Sequence, residues 1–319
     1  MQQVEIAPSS LPRKPLLGLR FGAKAWSRME PANKRTLLRS RRIVRDVSGL
    51  PDVLGRIGTL EVRLARTVQD IRRAQRLRFQ VFYKERSAIP SPRNLLAQRD
   101  IDPFDRICDH LLVIDHAFRR HPNSRPQPRV VGTYRLLLQQ HAERNGGFYS
   151  SSEYDLRGLL AAHPGQRVLE LGRSCVLKPY RTKRTVELLW RGIWQYVQHH
   201  RIDLMVGCAS LDGTDPAALG MQLSFLHHHA RAPEEWRAAA LPGRYVPMNR
   251  MAAEAIDTKA ALHALPPLVK AYLRLGGRFG DGAVVDRQFG TTDVLVVVRI
   301  AEIDPRYIAY YGGDVPHAA

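Results

Sequence analysis

From residue 58 onward the chain switches repeatedly between two hydrophobic periods, and the switches outline an alternation of strands and helices. Residues 59–64 read as a strand. Thr67-Val-Gln-Asp70 has the spacing of a helix N-terminal capping box, after which Val68, Ile71, Ala74, Leu77 and Val81 recur at helical spacing through about Lys84. A proline-marked loop (Pro90, Pro92, Pro103) follows. Strands are predicted over 110–115 and 129–138, joined by the hairpin-like HPNSRPQPR. Residues 149–161 read as short helix or mixed structure, ended by Pro164-Gly165.

The second half opens with strand, turn, helix and strand. Residues 167–177 form the first strand and 179–184 the turn. The helix over 185–199 aligns Val186, Leu189, Ile193 and Val197 on one face, and 204–208 is the next strand. A connection of this length implies parallel strands with a crossover. Gly213, Gly220 and Pro216 shape a turn and a following helix. Gly280, Gly282 and Gly290 bracket what reads as a short strand at Ala283-Val-Val285. A helix over 268–275 and a strand over 293–300 complete the pattern, with no 20–50-residue repeat. The expectation is an α/β fold: one central mixed, twisted sheet with helices on both faces, over residues 56–319.

Residues 1–55 break this pattern and read as a basic, partly ordered extension. A helix over 34–47 would carry Leu37, Leu38, Ile43 and Val44 on a short apolar face, ended by Gly49 and Pro51. Such a helix suits a membrane surface or a carrier protein, and equally a solvated or domain-capping extension.

Composition narrows the class. An apolar fraction of 44% with 25% charged residues describes a soluble globular chain. The longest apolar runs, such as residues 294–298, are strand-sized and far short of a membrane span. The first residues lack the apolar core of a secretory signal, so the expected location is cytoplasmic, with room for peripheral attachment to the inner face of the membrane. The net charge of +19, of which the first fifty residues supply eleven Lys/Arg against three Asp/Glu, calls for an anionic partner. Nucleic acid, anionic lipid and an acidic carrier protein all qualify on charge alone. No zinc finger, RNA-binding strand pair or helix-turn-helix signature accompanies it, so no specific nucleic-acid partner is expected. Cys108, Cys175 and Cys208 lack metal-ligand spacing and read as buried thiols. Three consecutive histidines at His227-His-His229 cannot converge on one ion in regular structure, so no metal site is expected.

The informative residues are charges planted in segments that otherwise read as buried. Arg78 lies one turn before Phe82 on the first helix, Asp102 and Asp105 stand three apart in Asp-Pro-Phe-Asp, Arg135 sits in an apolar strand, and Glu170 and Arg173 occupy Val168-Leu-Glu-Leu-Gly-Arg. An unpaired buried charge is costly, so these residues imply one charged cleft lined from several elements. Strand alternation turns Arg173 away from Glu170 unless a bulge near Gly172 changes the facing. Glu170 reads either as a general base or as a structural carboxylate paired with Arg173 or Arg135. Asp102 and Asp105 can hold a cationic guest, cap their loop, or pair with the arginines. Arg181, Lys183 and Arg184, just before a helix start, make a phosphate seat or a solvated basic turn. Ser174 and Ser210 have no evident histidine–acid partners, and direct amine attack is simpler than a covalent route through Cys175.

Taken in order and spacing, these residues resemble the GNAT-type N-acyltransferases, specifically the branch shared by acyl-homoserine-lactone synthases and bacterial ornithine N-alpha-acyltransferases. The matched pattern is an Arg and a Phe on the first helix, D-x-x-D, an Arg in the third strand and E-x-x-R in the fourth. It falls on Arg78, Phe82, Asp102, Asp105, Arg135, Glu170 and Arg173. The stretch GGRFGDGAVVDRQFGTTDVLVVVRIAEIDPRYIAYYG resembles the ornithine branch. The resemblance implies acyl transfer from acyl carrier protein, through its phosphopantetheine thioester, to L-ornithine, with no permanently bound cofactor. It gives Asp102 and Asp105 an acceptor-side role; Glu170 is the base candidate, Arg78, Arg135 and Arg173 are acceptor-binding or site-organising candidates, and Phe82 is either that or a wall or core residue. Where the superfamily cradles coenzyme A with a glycine-rich loop, this chain has Lys178-Pro-Tyr-Arg-Thr-Lys-Arg184, which fits one carrier-borne phosphate. Another amino acid or the methionine-derived substrate of the synthases is an alternative acceptor. A basic interaction module on an inactive scaffold is the alternative of a different class.

Overall fold

The computed structural model describes residues 49–86 and 88–312. Among them ten strands join in one mixed sheet: β1 (Gly55–Ile57), β2 (Leu60–Leu64), β3 (Asp109–Asp115), β4 (Arg129–Leu138), β5 (Tyr154–Asp155), β6 (Val168–Val176), β7 (Leu204–Asp212), β8 (Ala239–Ala240), β9 (Arg278–Asp286) and β10 (Thr291–Arg299). Their order is β1-β2-β3-β4-β6-β7-β10-β9-β8-β5. The helices are α1 (Val68–Phe79), α2 (Pro92–Ala97), α3 (Gln139–Glu143), α4 (Arg157–Ala162), α5 (Lys183–His200), α6 (Gly220–His229), α7 (Thr258–Ala264), α8 (Pro267–Arg274) and α9 (Pro305–Gly312). None is long and apolar enough to cross a membrane. The expected basic helix over 34–47 lies outside the described residues.

Alternation along β3 and β4 assigns the two faces of the sheet. Leu111 pairs with Tyr134 and His110 with Arg135. The Leu111 face carries α5, which lies so close that a Cβ on Gly192 would meet the Leu111 and Val62 side chains at 2.7 and 2.9 Å. The same face carries α8, whose Tyr272 hydroxyl bonds that of Tyr134 at 2.7 Å. The opposite, Arg135 face carries α1. Thr67 caps α1 by accepting from the Asp70 N–H, as its spacing predicted, while the Asp70 carboxylate takes the Arg66 N–H and the Arg63 guanidinium. A π-helical turn, Gln80–Glu85, prolongs α1 and turns Phe82 toward the middle of the sheet.

The central feature is a fork. β6 and β7 are parallel, but they pair only at Val168–Leu204, Leu169–Met205 and Glu170–Val206, although the strands continue to Val176 and Asp212. Past that point β6 holds to β4 and β7 holds to β10. Gly207 stands at the crotch: a Cβ there would lie 2.3 Å from the Leu171 carbonyl oxygen, so any side chain would force the strands further apart.

Several expected boundaries move. β7 extends four residues past residue 208 because β10 pairs along its whole length. The short strand expected at 283–285 is the nine-residue β9, and two of the glycines taken as turn markers lie inside it. Residues 280–282 oppose the single Leu295 where the β9–β10 register shifts, and Gly282 takes up the irregularity at φ +76°. Helix α5 begins at Lys183 rather than Thr185, because Thr182 is its cap.

Candidate active site

The sequence-predicted residues meet on the Arg135 face beside the fork. Arg135 pairs with Gly172 and Leu137 with Glu170, so Arg135, Glu170 and Gly172 share that face. The β4–β6 register slips by one residue between Thr133 and Arg135, where Arg173 and Ser174 oppose Tyr134 alone. Arg173 is the distorted residue, at φ +51°, and the bulge turns its side chain back to the Glu170 side. The bend expected at Gly172 therefore falls on the arginine itself.

Asp102 and Asp105 form a capping box around the 3₁₀ turn Pro103–Arg106. Asp102 accepts from the Phe104 N–H at 2.8 Å, and Asp105 accepts from the Asp102 N–H at 3.2 Å. Two buried guanidiniums and the partly buried one of Arg173 then meet three buried carboxylates. Arg78 bonds Asp100 at 2.8 Å and Asp105 at 2.7 Å, Arg135 approaches Asp102 at 2.9 Å, and Arg173 reaches the other Asp102 oxygen at 3.0 Å. Burial alone would raise the Asp105 carboxyl, but the charges of Arg78, His110 and Arg135 outweigh it and hold the group well below the usual carboxylate range. Of the roles open to the Asp102–Asp105 pair, loop capping and arginine pairing are both realised, and its charge is matched before any ligand arrives. Asp100, the third acid, was not singled out from the sequence; its signal was a further carboxylate two residues upstream of Asp102.

Glu170 is buried, and its carboxylate accepts the Tyr149 N–H at 2.7 Å, the Ser150 N–H at 2.7 Å and the Ser150 hydroxyl at 2.5 Å. Those bonds use three of a carboxylate's roughly four acceptor positions and leave one on Oε2. Burial raises its pKa, with the Ser150 and Tyr149 bonds and the Arg135 charge opposing. Tyr149 also forms a wall for Arg173, whose guanidinium carbon stands 4.6 Å from its ring and 4.9 Å from that of Phe289. Phe82 packs edge-on against Phe289 at 5.5 Å.

A cavity of about 620 Å³ opens on this face and continues through the fork. Arg135, Glu170, Arg173 and Phe82 line it, as do residues the sequence reading did not select. Through the Glu170–Val206 pair and the β7–β10 register, Cys208, Ser210 and Asp293 share the Glu170 face. Glu153, Asp286 and Asp293 bring carboxylate oxygens within 4.8 Å of one another. Arg244 answers Glu153 at 3.2 Å, Thr291 donates to Asp293, and the Gln288 and Phe289 N–H groups donate to Asp286. Among the described residues, three acids thus share one salt bridge, with the Arg173 charge also reaching Glu153. Burial, then the neighbouring Glu153 charge, pushes Asp293 up to about 7. Burial likewise raises Glu153 and the Cys208 thiol, which donates to Glu153 at 3.4 Å. The available signal was a carboxylate heading the apolar run of β10, two positions along the ladder from another at the end of β9.

At the other side of the cavity stands the N-terminus of α5. Arg181 and Lys183 line the cavity, with Arg181 also bonded to Glu85 at 2.6 Å, whereas Arg184 is exposed beyond it. Lys183 and Arg184 occupy the first helical turn rather than the turn before it. The His227–His229 run ends α6, where His228 bonds Asn249 and the Met251 carbonyl.

Comparison with known proteins identifies relatives of this chain. The family model of the acetyltransferase (GNAT) domain matches residues 77–191. The L-ornithine N(alpha)-acyltransferase of Agrobacterium fabrum (strain C58) is 53% identical over 262 residues, covering 82% of this chain and 88% of that protein. The protein of that name from Rhodobacter capsulatus is 42% identical over 254 residues, covering 79% of this chain and 94% of its own. Among solved structures, FeeM, an N-acyl amino acid synthase from uncultured soil microbes, superposes at a TM-score of 0.43 with 10% identity, over 76% of this chain and 92% of that one.

Proposed function

The chain belongs to the L-ornithine N(alpha)-acyltransferase family, and on that premise we propose that it transfers a 3-hydroxyacyl chain from acyl carrier protein to the α-amine of L-ornithine, forming lyso-ornithine lipid. The observation that carries the acceptor assignment is the imbalance of charge around the cavity. On one wall the Arg78, Arg135 and Arg173 charges are matched by Asp100, Asp102 and Asp105. On the other, the Arg244–Glu153 salt bridge is the one that Glu153, Asp286 and Asp293 make among the described residues, with the Arg173 charge also reaching Glu153. Buried like charges relieve themselves by taking up protons or by binding a cation. An amino acid with a second ammonium on its side chain supplies that cation, and its α-carboxylate then faces Arg173.

The α-amine of such an acceptor is protonated at neutral pH and must lose a proton before it can attack. Glu170 is the base in this reading, since burial raises its proton affinity and its open Oε2 position is the one left to receive the proton, directly or through water. The neutral amine adds to the thioester carbon, and the tetrahedral intermediate expels the carrier's thiolate, which takes up a proton. The β7-facing N–H groups of β6 beyond the fork have no partner strand, and they are the donors for the oxyanion. Arg78, Asp102, Asp105 and Arg135 organise the wall, and Phe82 closes it.

The donor enters over the start of α5, where helix N–H groups with Lys183 and Arg184 receive the phosphopantetheine phosphate and Arg181 borders the path. The basic extension of residues 1–55 increases encounter with the acidic carrier or an anionic membrane. Purified protein incubated with acyl-carrier thioesters and a panel of ornithine, lysine, glutamine and S-adenosylmethionine tests the reading, with products identified by mass spectrometry. N-acyl-ornithine is the expected product. Transfer to a neutral acceptor in preference to ornithine would overturn the assignment, and salt-sensitive nucleic-acid binding with no transfer would favour an interaction module.

A further inference from the structure

The cavity changes character as it passes through the fork. On the Arg135 face its wall is polar. On the Tyr134 face it runs among Leu189 and Trp190 of α5 and Leu268 and Ala271 of α8. Val186, the first residue of the apolar stripe on α5, is 42% exposed because it faces this space rather than the core. A thioester whose carbonyl meets the amine on the polar face therefore has a path for its tail through the fork and behind the sheet, apolar along Leu189, Trp190, Leu268 and Ala271, with Glu187 and Arg274 also in its lining.

That path ends at α9. Tyr307 and Tyr311 stack one turn apart at 6.5 Å, and Tyr311 stands 6.2 Å from Trp190, which packs edge-on against Tyr272 at 5.6 Å. Beyond this aromatic wall lies a separate void of about 10 Å³, bounded by the same Trp190, Tyr307 and Tyr311 and by Trp194, Met205 and Ile308. The wall thus separates the channel from space that a longer chain could occupy if the wall were cut back.

We propose that α9 is the end stop of the acyl-chain channel, with Tyr311 and Tyr307, braced by Trp190, limiting the length of acyl chain the enzyme accepts. The inference rests on the fatty-acyl thioester donor proposed above. One methylene more or less in a fitted apolar pocket changes kcat/KM by about tenfold or more, so a wall of this kind discriminates strongly.

Full-length protein is assayed with a series of saturated acyl-carrier thioesters of increasing even chain length, with ornithine as acceptor. Tyr311→Ala shifts the optimum to longer chains, raising the long-to-short ratio of kcat/KM about tenfold. Ala271→Leu, which fills the channel short of the wall, shifts it to shorter chains. Opposite shifts cannot both arise from damaged folding. Titration calorimetry with free fatty acids of the same lengths reads the channel without turnover, and Tyr311→Ala gains affinity for the longer acids only. A wild-type enzyme that transfers nothing would defeat the proposed reaction while leaving the calorimetry to judge the channel. The end stop is rejected if both folded variants keep the wild-type length profile, or if fatty-acid affinity depends on length identically in wild type and Tyr311→Ala.

Discussion

The Arg78 guanidinium closes on the Asp105 carboxylate at 2.7 Å, and neither side chain reaches solvent. Arg78 also holds Asp100, so one arginine on α1 bridges two acids of the following loop. Removing one partner of a buried pair leaves an uncompensated charge, which costs about 3–5 kcal/mol. Arg78→Met is therefore expected to lower stability by that amount in urea titration. Arg78→Lys recovers only part of it, because an ammonium cannot reproduce the planar fork that serves both carboxylates. Equal stability of the lysine variant and wild type would show that charge alone suffices.

Glu170→Gln is expected to reduce kcat by about 10²–10⁴-fold, the usual contribution of a general base. The carrier KM should stay near its wild-type value. Because a glutamine must turn its amide N–H₂ toward either the Ser150 or the Tyr149 N–H, a loss of about 1–3 kcal/mol in stability accompanies it. The two effects separate on the pH profile. If Glu170 is the base, kcat/KM loses its acidic limb in the variant; a profile of unchanged shape and scaled height would reduce Glu170 to a brace for the Tyr149–Ser150 turn.

Asp293→Asn should raise the ornithine KM about 10- to 100-fold, from the roughly 1.5–3 kcal/mol that a hydrogen bond to a charged group contributes. Its effect on the ligand-free protein has the opposite sign. The folded pKa of about 7 stands above the ordinary 3.8, so the folded protein holds a proton that the unfolded chain releases. The associated stability is present below about pH 4 and is lost as pH rises through 7. Asparagine removes this dependence, so the variant's melting temperature gains on wild type between pH 5 and pH 8, a difference that calorimetry reads directly. Chelator treatment decides whether the three carboxylates serve an ammonium or a divalent ion: unchanged turnover in excess chelator is expected.

Charge reversal at Lys183 and Arg184 should raise the acyl-carrier KM at low ionic strength. Both side chains are exposed, so the difference from wild type should narrow as salt shortens the screening length. Turnover at saturating carrier should change little, since Lys183 borders the cavity on the α5 side rather than at Glu170 and Arg184 lies beyond it. A carrier KM that is insensitive to the reversal at low salt would move the docking surface elsewhere.

Local pattern was enough to read the helix of Val68 to Phe79, the β3–β4 hairpin and the parallel β6–α5–β7 unit, because each is written in apolar spacing, a capping residue or a turn. It also marked Arg78, Asp102, Asp105, Arg135, Glu170 and Arg173 as neighbours, since charges in apolar segments must find one another. Their partners were another matter. Whether Asp102 and Asp105 meet a guest or the arginines depends on how α1 lies across β4 and β6, which no local spacing encodes. The facing of Arg173 turned on a one-residue slip in the β4–β6 register, and a slip of one residue reverses the side a strand residue faces. Glu153 precedes Asp286 and Asp293 by more than a hundred residues, and the three converge only because β10 inserts between β7 and β9. The fork is likewise a tertiary product: beyond the crotch β6 keeps β4 and β7 keeps β10 on their outer edges, so the inner edges can part. Composition and periodicity therefore determined the elements and the charges that must be matched, while strand order and register decided which charges are matched and where the open, unmatched face lies.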